Sequence, residues 1–76
     1  DKLRALNAFA GFAYAENDYE GAKYLLTEAL RLDPGSSETL RNMALLLHEM
    51  GEQDKALRIA AQMRRTDFLL LKIIKS

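Results

Sequence analysis

Residues 17–37 read Asn17-Asp18-Tyr19-Glu20-Gly21-Ala22-Lys23-Tyr24-Leu25-Leu26-Thr27-Glu28-Ala29-Leu30-Arg31-Leu32-Asp33-Pro34-Gly35-Ser36-Ser37. Within this stretch Ala22, Leu25, Leu26, Ala29 and Leu30 recur at i, i+3, i+4, i+7 and i+8, the spacing of one helix face. Both ends are punctuated. Asn17 is a residue type that accepts the left-handed conformation at a helix end. Pro34 cannot continue a helix, Gly35 tolerates a turn, and Ser36 or Ser37 can cap the next helix. The stretch therefore predicts one helix over about 19–32, a break, and a second helix starting near Ser37.

The same pattern extends outward. Leu6, Phe9, Ala10 and Ala13 form a stripe before it, and Leu40, Met43, Ala44 and Leu47 form one after it. Ala56, Ile59, Ala60 and Met63 form a fourth. Breaks fall at Glu16-Asn17-Asp18, at Gly51-Glu52 and near Arg65-Thr66-Asp67, where Thr66 or Asp67 can cap a following segment. The expected helices are about 3–16, 19–32, 37–50 and 53–65, with a last helical segment at about 68–75. Composition agrees. Leu 14, Ala 11, Arg 6, Glu 6 and Lys 5 make 42 of 76 residues, whereas Val is absent and Ile and Thr occur 3 times each. Helix formers dominate and β-branched residues are scarce, which predicts an all-α chain.

Composition also excludes function classes. Lys+Arg 11 balances Asp+Glu 11, so the chain lacks the basic excess of a nucleic-acid binder. There are no cysteines, hence no disulfide, thiolate zinc site or Cys nucleophile. The apolar runs Ala44–Leu47 and Phe68–Leu71 are far short of a membrane span, and no signal peptide is visible. The chain opens on Asp1, so it is expected to be a piece of a longer protein.

Shifting the chain by 34 residues places Leu6 on Leu40, Phe9 on Met43 and Ala10 on Ala44. Asn17 falls on Gly51, Ala22 on Ala56, Leu25 on Ile59 and Asp33 on Asp67. The repeating unit is helix, tight turn, helix and short loop. Unit one reads Leu6-x2-Phe9-Ala10-x2-Ala13, then Ala22-x3-Leu26-x2-Ala29, closing at Pro34. Unit two reads Leu40-x2-Met43-Ala44-x2-Leu47, then Ala56-x3-Ala60-x2-Met63. This period and wording resemble the tetratricopeptide repeat over about residues 3–66. The stretches Asn17–Ala22 and Ala29–Pro34 carry the resemblance most closely. Unit two departs at its end, where Phe68 stands in place of the proline and Ala60 in place of a bulky residue.

The resemblance implies two stacked helix-turn-helix hairpins and a C-terminal fifth helix, in a right-handed α-solenoid fragment. Unit one spans about 3–36, unit two about 37–66 and the last helix about 67–76. The small residues give the hairpins a physical reading as well. Ala10 and Ala22 are expected on facing helices, where small side chains allow close approach, and Ala44 with Ala56 repeat the arrangement. Phe9, Phe12, Tyr14, Tyr19 and Tyr24 are spaced as packing residues.

No catalytic constellation stands out. His48 is the only histidine, and Ser36 and Ser37 are accounted for as a helix cap. His48, Glu49 and Glu52 have the wrong spacing and number for a metal site. Gly11, Gly21, Gly35 and Gly51 form no phosphate loop. Gly11, in mid-helix, reads as a close helix contact, as simple tolerance of glycine, or as room on a ligand face. Arg64-Arg65 reads as a solvated helix end. No cofactor, metal or enzymatic activity is expected.

Surfaces remain. In tetratricopeptide folds the first helices of successive units line a concave groove. The resemblance therefore implies a partner-binding groove formed by Arg4, Asn7, Gly11 and Tyr14 from the first helix and Glu38, Arg41, Asn42, Leu45 and His48 from the third. Asn and Arg there suit main-chain and carboxylate contacts of an extended peptide. One subfamily clamps a chaperone's C-terminal carboxylates with Lys and Asn on the first helix and Asn on the third. Asn7 and Gly11 stand at the first-helix positions and only Asn42 matches, so no such clamp is expected. The expected function is a protein–protein interaction module binding a protein or peptide partner, with no nucleic acid and no membrane insertion. The alternative is self-assembly. The apolar tail Phe68, Leu70, Leu71, Ile73 and Ile74 is expected to serve as an oligomer interface or as the start of a truncated third unit, with further repeats in the parent protein.

Overall fold

The computed structural model describes residues 1–63 and 72–74. Four helices follow in order: α1 (Lys2–Ala15), α2 (Tyr19–Leu32), α3 (Ser37–Glu49) and α4 (Gln53–Ala61). Residues 72–74 are also helical. Among the described residues there is no strand, so the fold is all-α. α1 pairs with α2 and α3 with α4. α2 packs on α3, and α1 also meets α3.

The two hairpin turns are built alike because the same backbone chemistry recurs 34 residues apart. Asn17 holds φ 64° and Gly51 holds φ 80°. In the first turn the Asp18 N–H donates to the Ala13 carbonyl at 2.8 Å; in the second the Glu52 N–H donates to the Leu47 carbonyl at 2.9 Å. These are the long-span bonds of a Schellman-type helix stop, which satisfy carbonyls the helix leaves unpaired. Asp18 then caps α2, its Oδ1 accepting from the Gly21 N–H at 3.0 Å. A Cβ on residue 21 would press on that capping carboxylate, which would have to shift to accommodate it. Ser36 caps α3, its Oγ accepting from the Thr39 N–H at 3.3 Å.

The core is rich in alanine. Ala10, Ala22, Ala29, Ala44, Ala56 and Ala60 are all buried, with Leu26, Leu40, Met43, Leu46 and Leu47 between them. Methyl side chains let paired backbones approach closely, as the sequence pattern predicted, and the leucines fill the remaining space. Among the described residues an ionic link joins the hairpins outside this core. Glu52 accepts from Lys55 Nζ at 2.9 Å and lies 3.6 Å from Lys23 Nζ on α2. The Lys55 hydrogen bond, followed by the Lys23 and Lys55 charges, holds its carboxyl below the usual Glu value.

Three expectations need correction. Helix α4 ends at Ala61 and does not continue to 65, because the Gln62 and Met63 N–H groups turn back to Ile59 and Ala60, a tightening that closes a helix. Phe9, Phe12 and Tyr24 are exposed, not packed, because the chain's own core uses Ala10 and Ala13 of α1 and the face of α2 away from Tyr24. Ile74, assigned to an oligomer seam, is fully buried in the core of its own chain, which removes it from any such seam. Ile73 is about half exposed. The remaining seam residues Phe68, Leu70 and Leu71, with Arg64, Arg65, Thr66 and Asp67, lie outside the described residues.

Ala22 is 1% exposed and sits where α1 and α2 meet. Ala22→Leu is expected to destabilise the chain by roughly 1–3 kcal/mol through overpacking. A chemical denaturation curve unchanged by the substitution would contradict the close helix contact.

Candidate interaction groove

A groove of about 300 Å³ opens between α1 and α3, with α2 beneath it. Ala10, Gly11 and Tyr14 line it from α1, Leu26 from α2, and Asn42, Leu45, Leu46 and Glu49 from α3. The periodicity of the two helices explains the lining. Residues three and four apart share a face, so Gly11 and Tyr14 stand opposite Asn42, Leu45 and Glu49. Gly11 has open space around it: an added Cβ would meet no atom within 4 Å. The open space argues against a close helix contact at Gly11 and is compatible both with simple tolerance of glycine and with room on the groove face.

The groove's inner end is fixed by a buried polar chain. Asn7 is 6% exposed. Its Nδ2 donates to the Leu3 carbonyl at 3.1 Å and to Thr39 Oγ1 at 2.9 Å. Its Oδ1 accepts from Asn42 Nδ2 at 3.1 Å. Thr39 Oγ1 in turn donates to Ser36 Oγ at 3.0 Å. Both amide hydrogens and the carbonyl of Asn7 are therefore satisfied, which is what a buried amide needs to avoid its desolvation cost. The chain runs from the α3 cap, through Thr39 and Asn7, to Asn42 at the groove wall. It holds α1 and α3 at a fixed separation.

The outer end is aromatic and acidic. The Tyr14 and Tyr19 rings are 5.5 Å apart at 35°, an aromatic contact across the α1–α2 turn. Partial burial, then the nearby Glu49 carboxylate and Tyr19, push the Tyr14 hydroxyl above its ordinary value. Glu49 is the one charged side chain in the lining.

The structure brings Gly11, Tyr14, Asn42 and Leu45 together from the nine groove candidates. Asn7 lies beneath the groove as its anchor. Arg4, Glu38 and Arg41 are exposed outside its lining. His48 turns to the second hairpin, its Nδ1–H donating to Gln53 Oε1 at 2.9 Å. Glu49 was missed by sequence reasoning. Its place one turn beyond Leu45 on the same helix face is the signal that leads to it. Among the described residues, no group of three or more His, Asp or Glu is placed to hold a metal ion. No described helix is long and apolar enough to cross a membrane.

Comparison with known families places these features in context. The tetratricopeptide repeat family model matches residues 13–68. The chain belongs to the tetratricopeptide repeat family, whose members generally mediate protein–protein interactions. No curated protein and no solved structure gives a match.

Titration of Tyr14 tests the groove's outer end. In a background carrying Tyr19→Phe and Tyr24→Phe, Tyr14 is expected to ionise above pH 10. A further Glu49→Gln change is expected to lower that midpoint, because removing a nearby negative charge favours the phenolate. Ultraviolet absorbance of the tyrosinate reads it. A midpoint that does not fall would contradict the proximity of Glu49 and Tyr14.

Proposed function

We propose that this chain is a scaffold or adaptor module that holds a segment of another protein in the α1–α3 groove. The observation that carries the reading is the groove itself. It is a concavity of about 300 Å³ with an apolar floor of Ala10, Leu26 and Leu46 and polar groups at its walls. Apolar floors with a few oriented polar groups are how binding clefts combine affinity with orientation. Asn42 contributes an amide. One of its N–H groups is held by Asn7, which fixes the side chain and leaves its oxygen and second N–H for a ligand main chain. Tyr14 adds a ring and a hydroxyl, and Leu45 an apolar side chain. No cofactor enters this reading. Self-assembly through the tail has less support, because Ile74 is occupied within its own core.

Gly11 gives a test that separates binding from folding. A mid-helix glycine costs about 1 kcal/mol relative to alanine, and the space beside it is open. Gly11→Leu is expected to leave the chain folded and at least as stable, while filling the groove. Peptides selected from a random displayed library against the native chain are expected to shift the amide resonances of Gly11, Asn42 and Leu45. Their affinity is expected to fall at least tenfold for Gly11→Leu. Selected peptides that bind Gly11→Leu as well as the native chain would overturn the reading.

A further inference from the structure

α2 and α4 leave a second cleft between them, of about 380 Å³, on a different side of α3 from the groove. The two linings share no residue. The floor of this cleft is apolar. Met43 and Leu47 of α3 lie buried at its base, and the half-buried Leu30 of α2 and Ile59 of α4 stand beside them. The rim is cationic: Lys23 on α2, and Lys55 and Arg58 on α4. Among the described residues no acid lines the cleft.

One carboxylate reaches the rim from its end. Glu52 accepts from Lys55 Nζ at 2.9 Å and lies 3.6 Å from Lys23 Nζ, beyond ordinary hydrogen-bond length. Two ammonium groups thus share one negative charge. Arg58 stands one turn further along α4 and is exposed. Among the described residues it makes no ion pair. The other acids near these cations in sequence, Glu20 on α2 and Asp54 on α4, lie outside the lining and pair with none of the three. Three cations therefore face one carboxylate, in a chain whose Lys+Arg 11 and Asp+Glu 11 otherwise balance.

We propose that the α2–α4 cleft is a second binding site, for an acidic segment of a partner protein that carries an apolar side chain beside its carboxylates. The apolar side chain sits on Leu30 and Ile59, the accessible part of the floor. A carboxylate meets Arg58, whose planar guanidinium can hold it through two parallel N–H···O bonds. A second meets the Lys23 ammonium, which Glu52 leaves without a close hydrogen bond. The floor favours a polypeptide over a nucleic acid, whose phosphates would use the cations and leave the apolar surface uncovered. Residues 64–71 of the chain itself are a poor match by charge, since they carry Arg64 and Arg65 against Asp67. The site is independent of the α1–α3 groove, so either can fail without the other.

Peptides repeating Glu-Glu-Leu test this on the full 76-residue chain, beside Gln-Gln-Leu and Glu-Glu-Ser controls. The Glu-Glu-Leu peptide is expected to shift the amide resonances of Leu30, Arg58 and Ile59 and to leave Gly11, Asn42 and Leu45 in place. Both controls are expected to bind several-fold more weakly, and raising salt from about 50 to about 500 mM to weaken the acidic peptide. Arg58→Gln is expected to weaken it about fivefold, the effect of losing one charge-assisted contact at an exposed site. The same change is expected to move the melting temperature by less than about 2 °C. Absence of shifts at the cleft with millimolar peptide, equal binding of the Gln-Gln-Leu control, or affinity unchanged by Arg58→Gln would overturn the proposal. So would an oligothymidylate or phosphatidylserine vesicles that shift the same amides at lower concentration than the peptide, since the cations would then serve phosphates. Sedimentation in which the chain alone dimerises and Arg58→Gln does not would also overturn it, by giving the cleft to a second copy.

Discussion

Close approach of paired helices at alanine is the constraint on which the rest of this structure depends. Ala10 and Ala22 bring α1 and α2 together, and Ala44 and Ala56 do the same for α3 and α4. These alanines lie in one buried cluster with Leu26, Leu46 and Leu47, and small side chains favour close approach of paired helices. The two turns are fixed by the same need. Asn17 and Gly51 take left-handed backbone because the chain must reverse at once for the alanines to meet. From close pairing follows a flat hairpin, and from two flat hairpins a stack with a concave side.

A stack of flat hairpins joined only by apolar contact could slide. Here the polar chain Ser36, Thr39, Asn7 and Asn42 pins α1 to α3 at one register. Buried amides and hydroxyls are costly unless every group is paired, so a register shift would leave several of them unsatisfied at once. The groove owes its shape to this anchor at one end and to the Tyr14–Tyr19 contact at the other. The groove is thus carried in part by residues that themselves fold the chain, with Gly11, Leu45 and Glu49 completing its lining.

Much of this was legible in the sequence. The helices, the left-handed positions and the serine cap follow from periodicity and from residue types with one strong backbone preference. Ala22 and Ala56 could be placed because only small residues recur there. Side-chain roles at the groove were less accessible. Asn7 looks like a surface residue by type, and nothing local reveals that Thr39, 32 positions away, pairs with it. Phe9 and Phe12 look like core residues for the opposite reason: hydropathy reports what a side chain would favour, not whether the chain supplies a neighbour. Ile74 was misassigned to an interface because an apolar tail looks alike in sequence whether it turns inward or outward. In each case the missing information is a contact between distant segments, which local pattern does not carry.

The central claim is that the Asn7 anchor couples the two hairpins into one unit. A double-mutant cycle with Asn7→Ala and Thr39→Ala, read by equilibrium denaturation, measures that coupling with the fewest assumptions. Each single change is expected to be destabilising, because it strands the partner's buried polar group. The coupling energy is expected to be about 0.5–3 kcal/mol, the range for residues in direct contact. Additive effects, with a coupling indistinguishable from zero, would mean that the hairpins are held by apolar packing alone and that Asn7 does not set the groove.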